Sequence, residues 1–292
     1  MAFCARSQRP SRRVVARRVL IAALLGFCET LTAAPRPDVV RTVYFSAVDA
    51  NGAPVTDLTA ADLTVKEGGK ERPVAAVQPA TAPVDVFLLI DDGGLGAFRS
   101  GVAQFFQKTF GHGHFAIRVL NPQAIKVMDF TQNGDDLRAA LGRMGQRGRV
   151  TVDNEQMIAG VFDAAKELQQ RKARRASIIA LTVAGEKPLA DNADEALNAL
   201  KNSGASLSVV HVTGVELGKV LGDGPKQSGG MIEQVNGHVV PGPTLAKFAD
   251  NLLNQYVLTY TIPDGVKLNE RLSLSTSRKG VKLLAPTRIP DQ

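Results

Sequence analysis

Apolar and polar positions alternate at both ends of the chain and shift to helical spacing between them. Val43, Phe45 and Ala47 alternate with polar neighbours and run into Asp49-Ala50-Asn51-Gly52, so a half-buried strand and a reversal are expected there. Thr59-Ala60-Ala61-Asp62 has the spacing of one capped helical turn, residues 63–67 read as a strand, Gly68-Gly69 as a turn, and 74–77 as a short return strand. At the far end Tyr256, Leu258, Tyr260 and Ile262 share one face of a strand, Pro263-Asp264-Gly265 turns, and Leu272, Leu274, Val281 and Leu283 continue the alternation. Neither terminal segment holds enough sheet to be stable alone. Residues 38–80 and 256–290 are therefore expected to pair as one discontinuous antiparallel β-sandwich with residues 82–255 inserted between them.

Inside the insertion, strand and helix signals alternate, which is the signature of an α/β fold. The run Val84-Asp85-Val86-Phe87-Leu88-Leu89-Ile90 is apolar at both parities except for Asp85, as expected of a parallel strand buried on both faces. It closes on Asp91-Asp92 and breaks into Gly93-Gly94-Leu95-Gly96, which places charge at the carboxyl edge of a sheet, where open parallel sheets bind ligands. Phe98, Val102, Phe105, Phe106 and Phe110 then recur at helical spacing and read as a helix packed on that sheet. Further strands are expected over 115–120, 125–130, 177–182 and 207–212. Helices are expected over 136–144, around Met157 to Leu168, over 191–202, and around Leu245 to Leu253. The predicted class is a Rossmann-like α/β unit with a mostly parallel central sheet and helices on both faces.

Composition changes this picture mainly at the N-terminus. Six of the 35 basic residues (Arg6, Arg9, Arg12, Arg13, Arg17, Arg18) precede the apolar stretch 19–27, and small residues follow at Thr32-Ala33-Ala34. Residues 1–34 thus read as a secretory signal peptide, with an apolar core shorter than the ~20 residues a spanning helix needs. Arg12-Arg13 also resembles a twin-arginine export signal. The mature chain is expected outside the cytoplasm, periplasmic or secreted, touching a membrane only if the leader is retained. Cleavage removes six of 35 basic and one of 28 acidic residues, leaving 29 against 27, so the net charge falls from +7 to +2. That gives no support to a nucleic-acid partner, which would need a clustered basic face, and none is expected. The one basic run, Arg171-Lys172-Ala173-Arg174-Arg175, is expected to be a solvated helix C-terminus. Both cysteines, Cys4 and Cys28, lie in the leader, which leaves no disulfide, thiol nucleophile or thiolate metal site in the mature chain.

The apolar strand ending in Asp91, its loop and helix, and the later strand Ile178-Ile179-Ala180-Leu181-Thr182 resemble the von Willebrand factor A domain. Residues 49–55, 58–70, 85–96, Gly229-Gly230 and 254–260 together resemble the bacterial secreted VWFA-related proteins of acidobacterial type. The resemblance implies an adhesion or protein-binding module, and a Mg²⁺ held by an Asp-x-Ser-x-Ser loop, a threonine from a second loop and an aspartate from a third. Asp91 keeps the first aspartate, and Thr151 stands near the threonine. Gly93 and Leu95 occupy the two serine positions and Val183 the last aspartate, so three of the five protein oxygens are missing. A hard cation needs a near-octahedral oxygen set. The expectation is therefore a degenerate site without cofactor or metal, with Asp91 and Thr151 as residual candidates. A protein or cell-surface ligand would be met by loops carrying Asp91, Asp92, Gly93, Gly94, Leu95, Gly96, Thr151, Asp153, Val183 and Glu186.

Other chemistry finds little support. Gly93, Gly94 and Gly96 lack the Gly-Lys-Ser/Thr of a phosphate loop and follow carboxylates that would repel phosphate. His112-Gly113-His114 has no third ligand nearby in sequence, His211 and His238 read as structural, and Ser228-Gly229-Gly230 is not a nucleophile elbow. The expected function is non-enzymatic binding. The alternatives are a Mg²⁺-dependent adhesion domain with a rearranged site, or a cryptic hydrolase or receiver-like enzyme using Asp129.

Overall fold

The computed structural model describes residues 38–121, 123–145, 155–185, 192–236 and 242–290. The leader reading falls outside them. The elements are β1 (Val39–Val48), a one-turn 3₁₀ helix (Ala60–Asp62), β2 (Leu63–Glu67), β3 (Lys70–Arg72), β4 (Val74–Pro79) and β5 (Val84–Asp91). There follow α1 (Arg99–Thr109), β6 (Gly113–Val119), β7 (Ile125–Thr131), α2 (Gly134–Arg143), α3 (Glu155–Gln170), β8 (Ala176–Thr182), α4 (Ala193–Ser203) and β9 (Ser206–Val212). The chain ends with α5 (Lys219–Ser228), β10 (Ile232–Val235), α6 (Gly242–Leu253), β11 (Tyr256–Ile262), β12 (Leu272–Thr276) and β13 (Lys282–Leu284).

The central sheet runs β10-β9-β8-β5-β6-β7, parallel throughout except for the antiparallel edge strand β7. Strand β5 lies inside it, and the two parities of its apolar run serve two cores. Val84, Val86, Leu88 and Ile90 pack with Phe98, Phe105 and Phe106 of the α1 segment and Phe248 of α6. Phe87 and Leu89 pack on the other face with Met157, Val161 and Leu168 of α3. This is why the strand reads as continuously hydrophobic.

Two antiparallel sheets, β13-β1-β11-β4 and β12-β2-β3, contain the strands from both ends of the chain. Val43, Phe45, Leu63, Val65, Tyr256, Leu258, Tyr260 and Ile262 form their shared core. Between the sheets the buried Glu67 accepts hydrogen bonds from Arg41 (3.2 Å), the Tyr260 hydroxyl (2.7 Å) and the Asn269 N–H (2.7 Å). Burial and the Glu67 carboxylate push the Tyr260 phenol above its ordinary value.

Three expectations need correction, and one helix and one strand lie beyond them. The return strand after Gly68-Gly69 is β3, whereas residues 74–79 leave β2 and pair with β11 in the other sheet. Pro73 separates them, and a proline has no N–H to continue a ladder. Phe110 is not packed on the sheet. It caps the end of α1 and is 55 % exposed. Helix α5 and strand β10 are not among the expected elements, and α5 contains Gly222, Gly224 and Pro225, which are poor helix formers. Gly224 is there for packing, since a Cβ would lie 2.8 Å from Leu207 Cδ2.

The basic run after α3 is not simply solvated. Arg171 lies over the Phe130 ring at 4.1 Å and pairs with Asp85 (3.1 Å). Arg175 is buried, and its guanidinium donates to Gln255 Oε1 (2.8 Å), the Ala80 carbonyl (3.1 Å) and the Ala82 carbonyl (3.0 Å). It thereby ties the start of β8 to both chain segments that join the central sheet to the antiparallel strands. Arg175→Met would leave these buried acceptors without their donor. A loss of about 2–4 kcal/mol is expected in urea unfolding, and an unchanged midpoint would contradict the assignment.

Candidate functional site at the carboxyl edge of the central sheet

Strand β5 delivers Asp91 to the sheet edge between β6 and β8, and the chain then turns through Gly93 (φ +62°), Gly94 (φ +79°) and Gly96 (φ +71°) before α1. These left-handed conformations suit glycine and strain side-chain-bearing residues. A hydroxyl residue at position 93 would therefore require a different loop path, not only a different side chain.

Both carboxylates of the loop are withdrawn from solvent, Asp91 and Asp92 each being 1 % exposed. Asp91 Oδ1 accepts hydrogen bonds from Asn121 Nδ2 and from the Gly93 N–H (3.3 Å), and Asp92 Oδ1 accepts from the Gly94 N–H (3.0 Å). The Asp91 carbonyl takes the Val183 N–H at 2.9 Å. In the neighbouring loop Thr182 Oγ1 accepts from the Ala184 N–H (3.0 Å) and donates to the Ala184 carbonyl (2.8 Å). Val183 Cγ2 lies 3.5 Å from where a Cβ on Gly93 would stand. The apolar methyl thus covers the glycine from the side.

Of the loop positions expected to meet a ligand, Gly93 and Gly94 are buried, Gly96 and Val183 half-buried, and Leu95 exposed at 38 %. Thr151, Asp153 and Glu186 lie outside the described residues. Asn121 was missed. It follows the apolar end of β6, so its place beside Asp91 depends on the neighbouring strand, and only the sequence Leu120-Asn121-Pro122 at a strand end hinted at it. Asp129 is an exposed side chain paired with Lys126 (2.6 Å) on the edge strand β7. His211 is buried, with Nδ1 3.2 Å from the Val212 carbonyl.

A six-stranded, mostly parallel sheet with one antiparallel edge strand, helices on both faces and an aspartate-glycine loop at the carboxyl edge makes a von Willebrand factor A-like fold. No family model matches the chain, and no curated protein does. Similar solved structures include a von Willebrand factor type A protein from Catenulispora acidiphila, with 11 % identity over 89 % of this chain and 75 % of that one (TM-score 0.45). The SpRpn10 VWA domain matches at 11 % identity over 58 % and 94 % (TM-score 0.39). The conserved hypothetical protein BatB from Bacteroides thetaiotaomicron matches at 11 % identity over 59 % and 97 % (TM-score 0.40). At such identities and TM-scores the likeness assigns neither a family nor an activity.

Whether the A domain's edge suits a Mg²⁺ depends on its oxygens. Gly93, Leu95 and Val183 offer none from their side chains, Asp91 Oδ1 already accepts two hydrogen bonds, and the Thr182 hydroxyl is engaged within its own loop. Among the described residues no three His, Cys, Asp or Glu side chains group together. This donor set does not fit a hexacoordinate hard cation.

Burial raises the Asp91 carboxyl above its ordinary value; the hydrogen bonds from Asn121 and Gly93 oppose this, and the Asp92 charge adds to it. With the folded value above the unfolded one, the folded state holds the proton more tightly. The associated stability is present below the unfolded value and lost as pH rises through the folded one. Asp91→Asn keeps an acceptor oxygen without the buried charge. In urea unfolding it is expected to exceed the parent in stability at pH 7, with the gap closing as pH falls toward 4. A variant less stable than the parent at pH 7 would show that the charge itself is needed.

Proposed function

We propose that the protein is an exported, non-enzymatic binding module that holds a protein or cell-surface ligand through the loops at the carboxyl edge of its A domain, without a bridging metal. The observation that carries this reading is the contrast within one loop. Asp91 and Asp92 are buried and hydrogen-bonded internally, while Leu95 is the exposed apolar side chain. A metal bridge requires several side-chain oxygens converging on one cation, whereas direct docking requires an accessible apolar side chain on a rigid support. The support is supplied by β5, whose buried side chains pack on both faces of the sheet. Export is read from the composition of residues 1–34. The fold itself is compatible with many activities, so the assignment rests on the loop.

A photocrosslinking residue in place of Leu95 tests this, with one in place of the exposed Lys279, beyond β12, as the control. Presented to the extracytoplasmic fraction of producing cells, the Leu95 probe is expected to give discrete protein adducts that persist in EDTA and that the Lys279 probe does not give. Adducts abolished by EDTA would favour a metal-bridged adhesion site, and identical adducts from both positions would remove the edge as the contact surface.

A further inference from the structure

At the opposite edge of the central sheet lies a cavity of about 580 Å³ in the seam between the antiparallel strands and the A domain. Its walls are the starts of β8 and β9, the end of α4, residues 40–44 of β1 and the tail around Pro286 and Arg288. Five cationic side chains line it, Arg41, Arg174, Arg175, Lys201 and Arg288, and among the described residues no carboxylate does. Three of these cations are answered from behind the wall. Arg41 pairs with Glu67 (3.2 Å), and Lys201 and Arg288 share Glu270 at 2.7 Å each. The two hydrogen bonds hold Glu270 down to about 2, a sign of the positive field there.

Arg174 and Arg175 have no such counter-charge among the described residues. Arg174 is exposed. Arg175 is 5 % exposed, its partners are neutral oxygens, and its Nη2 has no partner among the described residues. Burial pulls the guanidinium down to about 10, still charged at neutral pH. A buried cation without an anion is costly, and an anion bound nearby offsets that cost. The rest of the lining mixes apolar side chains (Val40, Leu197, Leu200, Ile289) with neutral polar ones such as Thr42 and Gln227. The volume lies in the ~300–1,000 Å³ range of small-molecule sites, which combine apolar walls with a few convergent polar groups.

We infer that this seam is a second binding site, for an organic carboxylate with an apolar body, held by Arg174 with the buried charge of Arg175 beside it in the lining. Arg174 supplies the forked donor that suits a carboxylate. The site is independent of the Asp91 edge and does not rest on the function proposed for it. The carboxylate can belong to a free acid or to a peptide C-terminus.

Titration of the full chain with 4-phenylbutyrate, monitored through the backbone amides, tests the site. Saturable shifts are expected at residues 40–44 and 203–206. Binding of 4-phenylbutanol is expected to be weaker by about tenfold or more, the scale of one charge-assisted hydrogen bond. Arg174→Gln, a change at an exposed position, is expected to weaken phenylbutyrate to a similar degree. Thr42→Trp, which fills the cavity from β1, is expected to abolish it, and Asp91→Asn to leave it unchanged. N-acetyl-glycyl-leucine compared with its amide identifies the source: a free peptide acid bound more tightly than phenylbutyrate assigns a chain terminus, and the reverse assigns a free acid. Absence of saturable binding, equal binding of the alcohol, equal competition by inorganic phosphate, or indifference to both Arg174→Gln and Thr42→Trp would overturn the inference.

Discussion

Strand β11 hydrogen bonds to β1 on one side and to β4 on the other, so the far end of the chain sits between two strands from its beginning. Everything else is arranged around that closure. The register from Val39 opposite Ile262 to Phe45 opposite Tyr256 puts Val43, Phe45, Tyr256, Leu258, Tyr260 and Ile262 into one core. It also brings the entry to the central sheet at Ala80–Val84 close to its exit at Gln255, where Ala80 N–H donates to the Gln255 carbonyl at 2.8 Å. Arg175 reaches the same place from β8, so one buried guanidinium spans three chain segments. Such closure is non-local, and its loop entropy is recovered only when the intervening α/β unit is itself compact.

At the other end of the sheet the physics runs against charge. Asp91 is held where water is excluded, and the hydrogen bonds from Asn121 and Gly93 offset only part of the desolvation. Gly93 turns at a left-handed φ, and Val183 rests beside it. The missing oxygens and the loop path are thus consistent with one another. Restoring serine at 93 would strain the turn, and aspartate at 183 would replace a methyl packed against the core with a charge. The edge presents Leu95 above a tight glycine turn and two withdrawn carboxylates.

Much of this was legible in the pattern of residues. The doubly buried strand before Asp91, the alternating strands at both ends and the amphipathic helices follow from periodicities that packing preserves. What escaped depends on contacts between distant segments. The sheet switch at Pro73 requires knowing that β11 is waiting on the other side. Arg175 looked like one more residue in a basic run, yet its neighbours are Ala80, Ala82 and Gln255 from far along the chain. Asn121 completes the Asp91 site from an adjacent strand, and α5 packs through glycines whose virtue is the absence of a side chain. The absences at Gly93, Leu95 and Val183 were readable at once. Their consequence, a withdrawn pair of carboxylates beside an exposed leucine, required the structure.

The role proposed for the Asp91 edge is direct contact with a partner, without a metal bridge. The most direct measurement is line broadening of the backbone amides of the isotopically labelled chain on addition of Mn²⁺, whose paramagnetism acts only near its binding site. The amides of Gly93, Gly94 and Val183 are predicted to stay as sharp as those of β1 and β11 through millimolar Mn²⁺. Selective, saturable broadening of Gly93, Gly94 and Val183 at lower concentration, lost in Asp91→Ala, would contradict the account.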